Sequence, residues 1–185
     1  MPDFQVLSRS RVYDGWAKVD ELEIRTKGSS VQKRLVVEAG DAAAVLLHNL
    51  QTDRLLFVCQ LRVPLIRHDE ADSLEIVAGK VDQGESAADA AMREAEEEVG
   101  HRLESLQPIA HVYASPGILS EKISLFYGKI SEQTTISGGG GDETEELEFV
   151  EFSTEEAFRM LDEGKIRDGK TVVALLWLRN RLTLR

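Results

Sequence analysis

The chain contains few cysteines, few basic residues and no long apolar segment. Cys59 is the only cysteine among 185 residues, which excludes an internal disulfide and a zinc site made of cysteines alone. The longest apolar run, residues 172–178, has seven residues, whereas a membrane-spanning helix needs roughly 20. Lys and Arg total 22 against 33 Asp and Glu, so the net charge is −11 and a general nucleic-acid-binding surface is not expected.

The N-terminal segment, residues 1–11, also lacks a basic stretch followed by a long apolar one. We therefore expect no signal peptide, a cytoplasmic location and no membrane partner. The composition is typical of a folded chain, since 42% of the residues are hydrophobic and 30% are charged. No Pro- or Ser-rich linker divides the chain into separate folding units.

The order of strand and helix signals indicates the fold class. Extended segments separated by glycine-containing turns fill the first third of the chain and predict strands there. A further strand is predicted at residues 73–77, and a helix follows at residues 87–99. Ser86 can cap the N-terminus of this helix, and Gly100 can end it in the left-handed conformation. Strands with helices available for both faces predict an α/β sandwich with a mixed sheet.

Two more helices are predicted near the C-terminus. The first begins at Ser153, where Glu156 completes a capping box, and the second covers residues 170–181. The second is apolar on most faces, which is typical of a helix in a core or a subunit contact.

Glutamates crowd the second half of the helix predicted after Ser86. Glu94, Glu97 and Glu98 fall on one side of it, whereas Glu96 points away. Like charges at these spacings destabilise a helix by a few tenths of a kcal/mol per pair, so stability does not explain them. A solvated acidic face is one interpretation of the helix alone. The other is a site for a hard divalent cation such as Mg²⁺ or Mn²⁺, with Arg93 orienting Glu97 through an ion pair.

The spacing around these glutamates decides between the two interpretations. Gly79 is followed after five residues by Glu85, and after seven more by the run Arg93-Glu94-Ala95-Glu96-Glu97-Glu98-Val99-Gly100. This is the pattern called the Nudix box, and with it the chain resembles a Nudix hydrolase. His101 departs from the aliphatic residue that the family prefers there, which bears on packing after the helix and on no metal ligand.

Three further segments resemble the branch of that family that hydrolyses nucleoside diphosphate sugars, namely the ADP-ribose and GDP-mannose pyrophosphatases. These segments are Gln60-Leu61-Arg62, Glu75-Ile76-Val77-Ala78-Gly79, and Ser115-Pro116-Gly117 with Glu121. The resemblance implies an α/β fold, the Nudix α/β/α sandwich with a mixed sheet and extra N-terminal strands. Residues 1–40 are then the N-terminal strands, exchanged between the subunits of a homodimer, and residues 41–185 form the Nudix hydrolase domain.

The resemblance also implies roles for individual residues. The implied metal ligands are Glu94, Glu98, the backbone carbonyl of Ala78, and Glu145. The implied catalytic residues are Glu143 as the base, Glu97 and Arg93. The implied substrate contacts are Arg62 at the diphosphate or sugar, Glu75 and Glu121 at sugar hydroxyls, and Trp16 with Arg34 at the base. Trp16 is equally compatible with a core or dimer-interface position.

Three of the glutamates with possible roles, Glu143, Glu145 and Glu146, belong to an acidic loop at residues 142–146 that follows four glycines. A solvated loop is the alternative for this segment taken alone. By resemblance it is a mobile catalytic loop, and Glu146 is the alternative to Glu143 and Glu145.

The implied reaction is attack of an activated water on one phosphorus of the diphosphate, which yields a nucleoside monophosphate and a sugar phosphate. Mg²⁺ or Mn²⁺ is the implied cofactor. ADP-ribose and GDP-mannose are the candidate substrates, and residues 166–171 together with the glycine run are closer to the GDP-mannose members. Two alternatives stay open, a Nudix hydrolase of nucleoside triphosphates and a non-catalytic sensor of nucleotide sugars.

Overall fold

A computed structural model describes residues 4–28, 30–68, 71–100, 103, 106–130 and 147–184, apart from the side chains of Glu98 and Val99. The strands within these residues are Phe4–Asp14 (β1), Lys18–Thr26 (β2), Gln32–Glu38 (β3), Ala42–Asn49 (β4), Arg54–Leu61 (β5), Asp72–Glu75 (β6), Val77–Lys80 (β7), Leu106–Tyr113 (β8), Lys122–Ile130 (β9) and Leu147–Ser153 (β10). The helices are Ala87–Val99 (α1), Thr154–Asp162 (α2) and Gly169–Thr183 (α3), with a 3-10 helix at Val63–His68. None of these helices is long and apolar enough to span a membrane.

The chain divides into two compact units. The first consists of Met1–Asp41 and Tyr113–Lys122, and the second of Ala42–Val112 and Ile123–Arg185. In the first unit β1, β2 and β3 form an antiparallel sheet in that order. Every residue of β1 is exposed, and the apolar ones among them include Phe4, Val6, Val12 and Tyr13. This sheet therefore has a strand that buries little within one chain.

The second unit contains a mixed sheet, as the sequence predicts. Its main path is β10-β5-β4-β9-β8, with β6 paired to β5 and β7 paired to β4. The β4–β9 pair is parallel, whereas β5 pairs antiparallel with β10, β4 and β6, and β7 pairs antiparallel with β4. The two central strands β4 and β9 are almost entirely buried.

Helices cover both faces of this sheet. Ala43, Val45 and Leu47 of β4 share one core cluster with the alanines of α1. Ala44 and Leu46, which point to the opposite face, share the other cluster with residues of α2 and α3. This is an α/β/α sandwich, and the fold class predicted from the sequence is confirmed.

The helix α1 begins and ends where its capping residues predict. Ser86 Oγ accepts a hydrogen bond from the Asp89 N–H at 3.1 Å. Gly100 adopts a left-handed conformation with φ 75°, and its N–H donates to the Glu96 carbonyl at 2.9 Å. The capping box predicted for Ser153 and Glu156 is also present at the start of α2.

The prediction of a single strand at residues 73–77 is wrong in one respect. This segment contributes to two short strands, because β6 pairs with β5 whereas β7 pairs with β4. The chain changes neighbours at Ile76, which belongs to neither pairing. The apolar pattern of this segment does not reveal the change, since both of its neighbouring strands are themselves buried.

Candidate active site

Gly79 on β7 and Glu94 on α1 lie in direct contact. A Cβ atom added to Gly79 would overlap the Glu94 carboxylate. The helix approaches the sheet this closely because Ala91 and Ala95 on its inner face are small and fully buried. The Glu94 side chain is only 15% exposed, and this burial raises its pKa, which Arg93 offsets in part. Glycine is therefore the residue that leaves room for this carboxylate.

Arg93 holds the acidic residues of the box together. Its Nε donates to Glu85 Oε1 at 3.0 Å, and its Nη2 donates to the carbonyl of Lys80 at 3.0 Å. Its Nη1 donates both to Glu94 Oε1 at 2.8 Å and to Glu97 Oε2 at 3.0 Å. The ion pair expected between Arg93 and Glu97 is thus present. The hydrogen bond to Glu85 contributes most to raising the pKa of Arg93, and it also lowers the pKa of Glu85.

The donor atoms at this site suit a hard divalent cation. They are carboxylate and carbonyl oxygens, and the half-buried Glu94 carboxylate occupies a space that any side chain at position 79 would fill. Within the part of the chain that the structure describes, no three His, Cys, Asp or Glu side chains form a metal-binding group. The ligand set implied by the sequence also needs Glu98 and Glu145, whose side chains lie outside that part. The described residues fit a divalent metal ion by their oxygen chemistry.

A second charged cluster lies at the end of β6. Arg62 Nε and Nη2 donate to the two carboxylate oxygens of Glu75, each at 2.8 Å. Lys170, from the first turn of α3, also donates to Glu75. Burial raises the pKa of Glu75, which is 5% exposed, but the hydrogen bonds and charges of Arg62 and Lys170 outweigh it and lower the pKa to about 2. Glu75 is therefore ionised and held on both oxygens.

The two clusters are close along the chain. Glu75 and Ala78 are three residues apart, so their Cα atoms are separated by no more than roughly 11 Å. The strand that carries Glu75 leads directly into the strand that carries Ala78 and Gly79. The structure thus brings the predicted substrate residues Arg62 and Glu75 into the neighbourhood of the box.

Three of the predicted substrate residues belong to the first unit. Trp16 lies in the turn between β1 and β2 and is 80% exposed. Arg34 on β3 donates to the side chain of Gln32 and to the Lys33 carbonyl. Glu121 precedes β9. The predicted loop residues Glu143, Glu145 and Glu146 lie outside the described residues.

The turn before α3 has contacts that the sequence does not predict. Asp168 caps that helix, Lys170 pairs with Glu75, and Thr171 accepts a hydrogen bond from the Ile76 N–H at 2.8 Å. An Asp just before a predicted helix does indicate a helix cap. Its contact with β6 is not visible in the sequence, because the partners are 95 residues apart.

Comparison with known proteins identifies the family. The sequence profile of the NUDIX domain matches residues 39–175. The chain belongs to the NUDIX domain family. The resemblance inferred from the box and its flanking segments is therefore confirmed, and the NUDIX match covers both charged clusters described above.

Among relatives, the ADP-ribose pyrophosphatase of Escherichia coli K12 is 34% identical over 184 residues, which cover 95% of this chain and 88% of that protein. The GDP-mannose pyrophosphatase of Yersinia enterocolitica is 35% identical over 155 residues, covering 82% of this chain and 81% of that protein. A crystal structure of an ADP compounds hydrolase has a TM-score of 0.78 at 22% identity, over 97% of this chain and 94% of that one. That last likeness supports the NUDIX fold.

Proposed function

We propose that this protein is a hydrolase that cleaves the diphosphate of a nucleoside diphosphate sugar in a reaction that depends on a divalent metal ion. The products are a nucleoside monophosphate and a sugar phosphate. ADP-ribose and GDP-mannose are the candidate substrates, which are also the compounds named for two groups of relatives. Mg²⁺ or Mn²⁺ is the proposed metal.

The observation that carries the proposal is the seating of the Glu94 carboxylate against Gly79, within the hydrogen-bond network of Arg93. A carboxylate held this way is oriented before any ligand arrives, so little conformational entropy is lost when it binds a cation. A non-catalytic role would not require this arrangement, because a solvated glutamate on a helix needs no glycine opposite it.

The proposed metal-binding residues come from α1, β7 and the acidic loop. Glu94 and Glu98 are one helical turn apart in the sequence, and the Ala78 carbonyl belongs to the residue before Gly79, which contacts Glu94. Glu145 would add a carboxylate. A bound divalent cation would lower the pKa of a coordinated water and neutralise charge on the diphosphate, which a chain with a net charge of −11 would otherwise repel.

The other residues position groups and move the proton. Arg93 keeps Glu94 and Glu97 in place through the two hydrogen bonds of its Nη1. Glu143 accepts the proton of the attacking water as general base in this proposal. Arg62, oriented by Glu75 at both carboxylate oxygens, presents a positive charge to a phosphate or to the sugar.

We further propose that residues 1–40 exchange between two copies of the chain, so that each active site contains residues of both. The exposed apolar side chains of β1 support this, since a second copy would remove them from water. Trp16 would stack on the nucleobase and Arg34 would assist it, with Glu121 at the sugar. Light scattering should report a dimer. A monomer would contradict the shared active site, whereas the proposed hydrolase activity does not depend on that result.

The decisive test is a substrate panel with the purified protein. ADP-ribose, GDP-mannose and UDP-glucose are compared by kcat/KM with Mg²⁺ and with Mn²⁺, alongside nucleoside triphosphates. We expect at least one of the sugars to be cleaved to a nucleoside monophosphate, and product analysis in labelled water identifies the phosphorus attacked. Preference for triphosphates would favour the alternative substrate class. A panel left uncleaved with both metals would falsify the proposed activity.

A further inference from the structure

The chain changes strand partners at Ile76, and this change leaves a backbone group without a strand partner. Ile76 follows β6, which pairs with β5, and precedes β7, which pairs with β4. The residue is 1% exposed, so its N–H cannot be satisfied by bulk water. The N–H instead donates to Thr171 Oγ1 at 2.8 Å. A side chain from α3 therefore accepts the hydrogen bond of the backbone N–H at Ile76, the residue where the chain changes strand partners, which we call the strand switch.

Thr171 is itself held in a single orientation. It is fully buried, and its N–H and Oγ1 donate to Asp168 Oδ2 at 3.0 and 2.6 Å. Because the hydroxyl proton goes to Asp168, a lone pair of the same oxygen is available for the Ile76 N–H. The helix cap and the strand switch thus share one hydroxyl group.

The residue beside Thr171 makes a matching contact. Lys170 Nζ donates to Asp168 Oδ1 at 3.0 Å and also to the Glu75 carboxylate. Its side chain is 10% exposed, and it reaches Glu75 together with Arg62. Two consecutive residues of α3 therefore hold two consecutive residues of the chain, Glu75 at the end of β6 and Ile76 between β6 and β7.

We propose that residues 168–171, the capping turn of α3, act as a positioning element of the active site by fixing the strand switch at Ile76 and the carboxylate of Glu75. Ala78 follows Ile76 by two residues, so its Cα lies within roughly 7 Å and shifts with the switch. In this proposal the capping turn acts through these residues and is not itself a ligand of the metal or a contact of the substrate. This inference rests on the proposed function, because the site that it positions is that of the hydrolase.

Thr171→Val tests the inference, because valine keeps the shape of threonine and removes both hydroxyl hydrogen bonds. We expect Mn²⁺ binding, measured by electron paramagnetic resonance, to weaken roughly tenfold and KM for the substrate to rise. Thr171→Ser keeps the hydroxyl and should restore both values to within about twofold of the wild type. The Mn²⁺ measurement needs no turnover, so it tests the positioning even if the wild type cleaves none of the substrates offered.

Thr154→Val is the matched control. Thr154 is a buried threonine in the first turn of α2, and its Oγ1 donates to Asp53 at 2.8 Å. This variant should lose thermal stability as Thr171→Val does, but keep wild-type Mn²⁺ affinity and KM. If Thr171→Val lowered only the melting temperature, with Mn²⁺ affinity and KM unchanged, the capping turn would be a structural brace and the proposal would be wrong.

A double-mutant cycle tests the lysine. Lys170→Met alone should raise KM. If Lys170 acts through Glu75, the same substitution should raise KM little further when Glu75→Gln is already present. Lys170→Arg, which keeps the charge, should recover part of the loss. Fully additive effects of Lys170→Met and Glu75→Gln would mean that Lys170 acts independently of Glu75, which would overturn the positioning role assigned to it.

Discussion

The Glu94 carboxylate packs against the Cα of Gly79, in the space that a methyl group at position 79 would occupy. The first glycine of the box is therefore required by a side chain fifteen positions later and not by its own backbone conformation. Because the obstructed group is the end of a flexible side chain, a methyl group would move the carboxylate before it moved the fold.

Gly79→Ala should consequently reduce activity much more than stability. We expect kcat/KM to fall roughly 10- to 100-fold and the melting temperature to change little. The comparison is with Glu94→Gln and the double variant. If Gly79→Ala acts by displacing Glu94, the double variant is no worse than Glu94→Gln alone, whereas additive losses would contradict this explanation.

Glu98→Gln should lower turnover by orders of magnitude without unfolding the protein, because it removes a proposed metal ligand. Glu96→Gln is the matched control, since Glu96 is an exposed glutamate of the same helix turn. The control should keep wild-type kinetics. Wild-type rates in Glu98→Gln would refute the assignment of this residue as a ligand.

Glu143→Gln should depress kcat more than KM if Glu143 is the general base, because the amide cannot accept the proton of the attacking water. Steady-state kinetics on the best substrate of the panel measure both constants. A kcat near the wild-type value would move the role to Glu145 or Glu146, which the same substitution then tests in turn.

Arg62→Lys should weaken substrate binding although it conserves the charge. Lysine cannot donate two parallel hydrogen bonds to Glu75, so the cation loses its fixed orientation. If the misoriented cation loses one charged hydrogen bond to the substrate, KM should rise roughly tenfold or more. Arg54→Lys is the control, since Arg54 begins β5, the strand that ends just before Arg62, and pairs with Glu151 at 3.5 Å. An unchanged KM in Arg62→Lys would argue against substrate contact.

Glu75 should make the free energy of unfolding depend on pH in the acidic range. Its pKa falls from 4.5 to about 2 on folding, so its ionisation stabilises the protein fully above pH 4.5 and this contribution is lost as the pH falls towards 2. Between about pH 6 and about pH 3 the wild type should lose on the order of 2 kcal/mol more unfolding free energy than Glu75→Gln. Urea denaturation at the two pH values measures the difference. Equal losses of unfolding free energy in both proteins would mean that Arg62 and Lys170 do not lower the pKa of Glu75.

Local features of the site could be predicted because each depends on neighbours in the chain. Ser86 and Gly100 set the ends of α1 by hydrogen bonds within four residues, and the Arg93–Glu97 pair follows from one turn of helix. The width of the buried face of α1 is decided by its contact with the sheet, in which Ala90, Ala91 and Ala95 are all fully buried.

Other features depend on which strands become neighbours. The sequence predicts one strand where β6 and β7 are separate, since apolar periodicity records burial and not the identity of the partner. The hydrogen bond from Arg93 to the Lys80 carbonyl also depends on tertiary structure, because that carbonyl becomes available only once β7 packs beside α1. Long-range pairings of this kind are settled by the complete sheet.

The sequence by itself determined the box spacing, the helix that carries its glutamates and the family to which the chain belongs, because these depend on residue order over a few turns. Only the tertiary structure decided that Lys170 and Thr171 of α3 hold Glu75 and Ile76, 95 residues away. The physical reason is that a buried N–H and a buried carboxylate must find partners wherever the fold provides them.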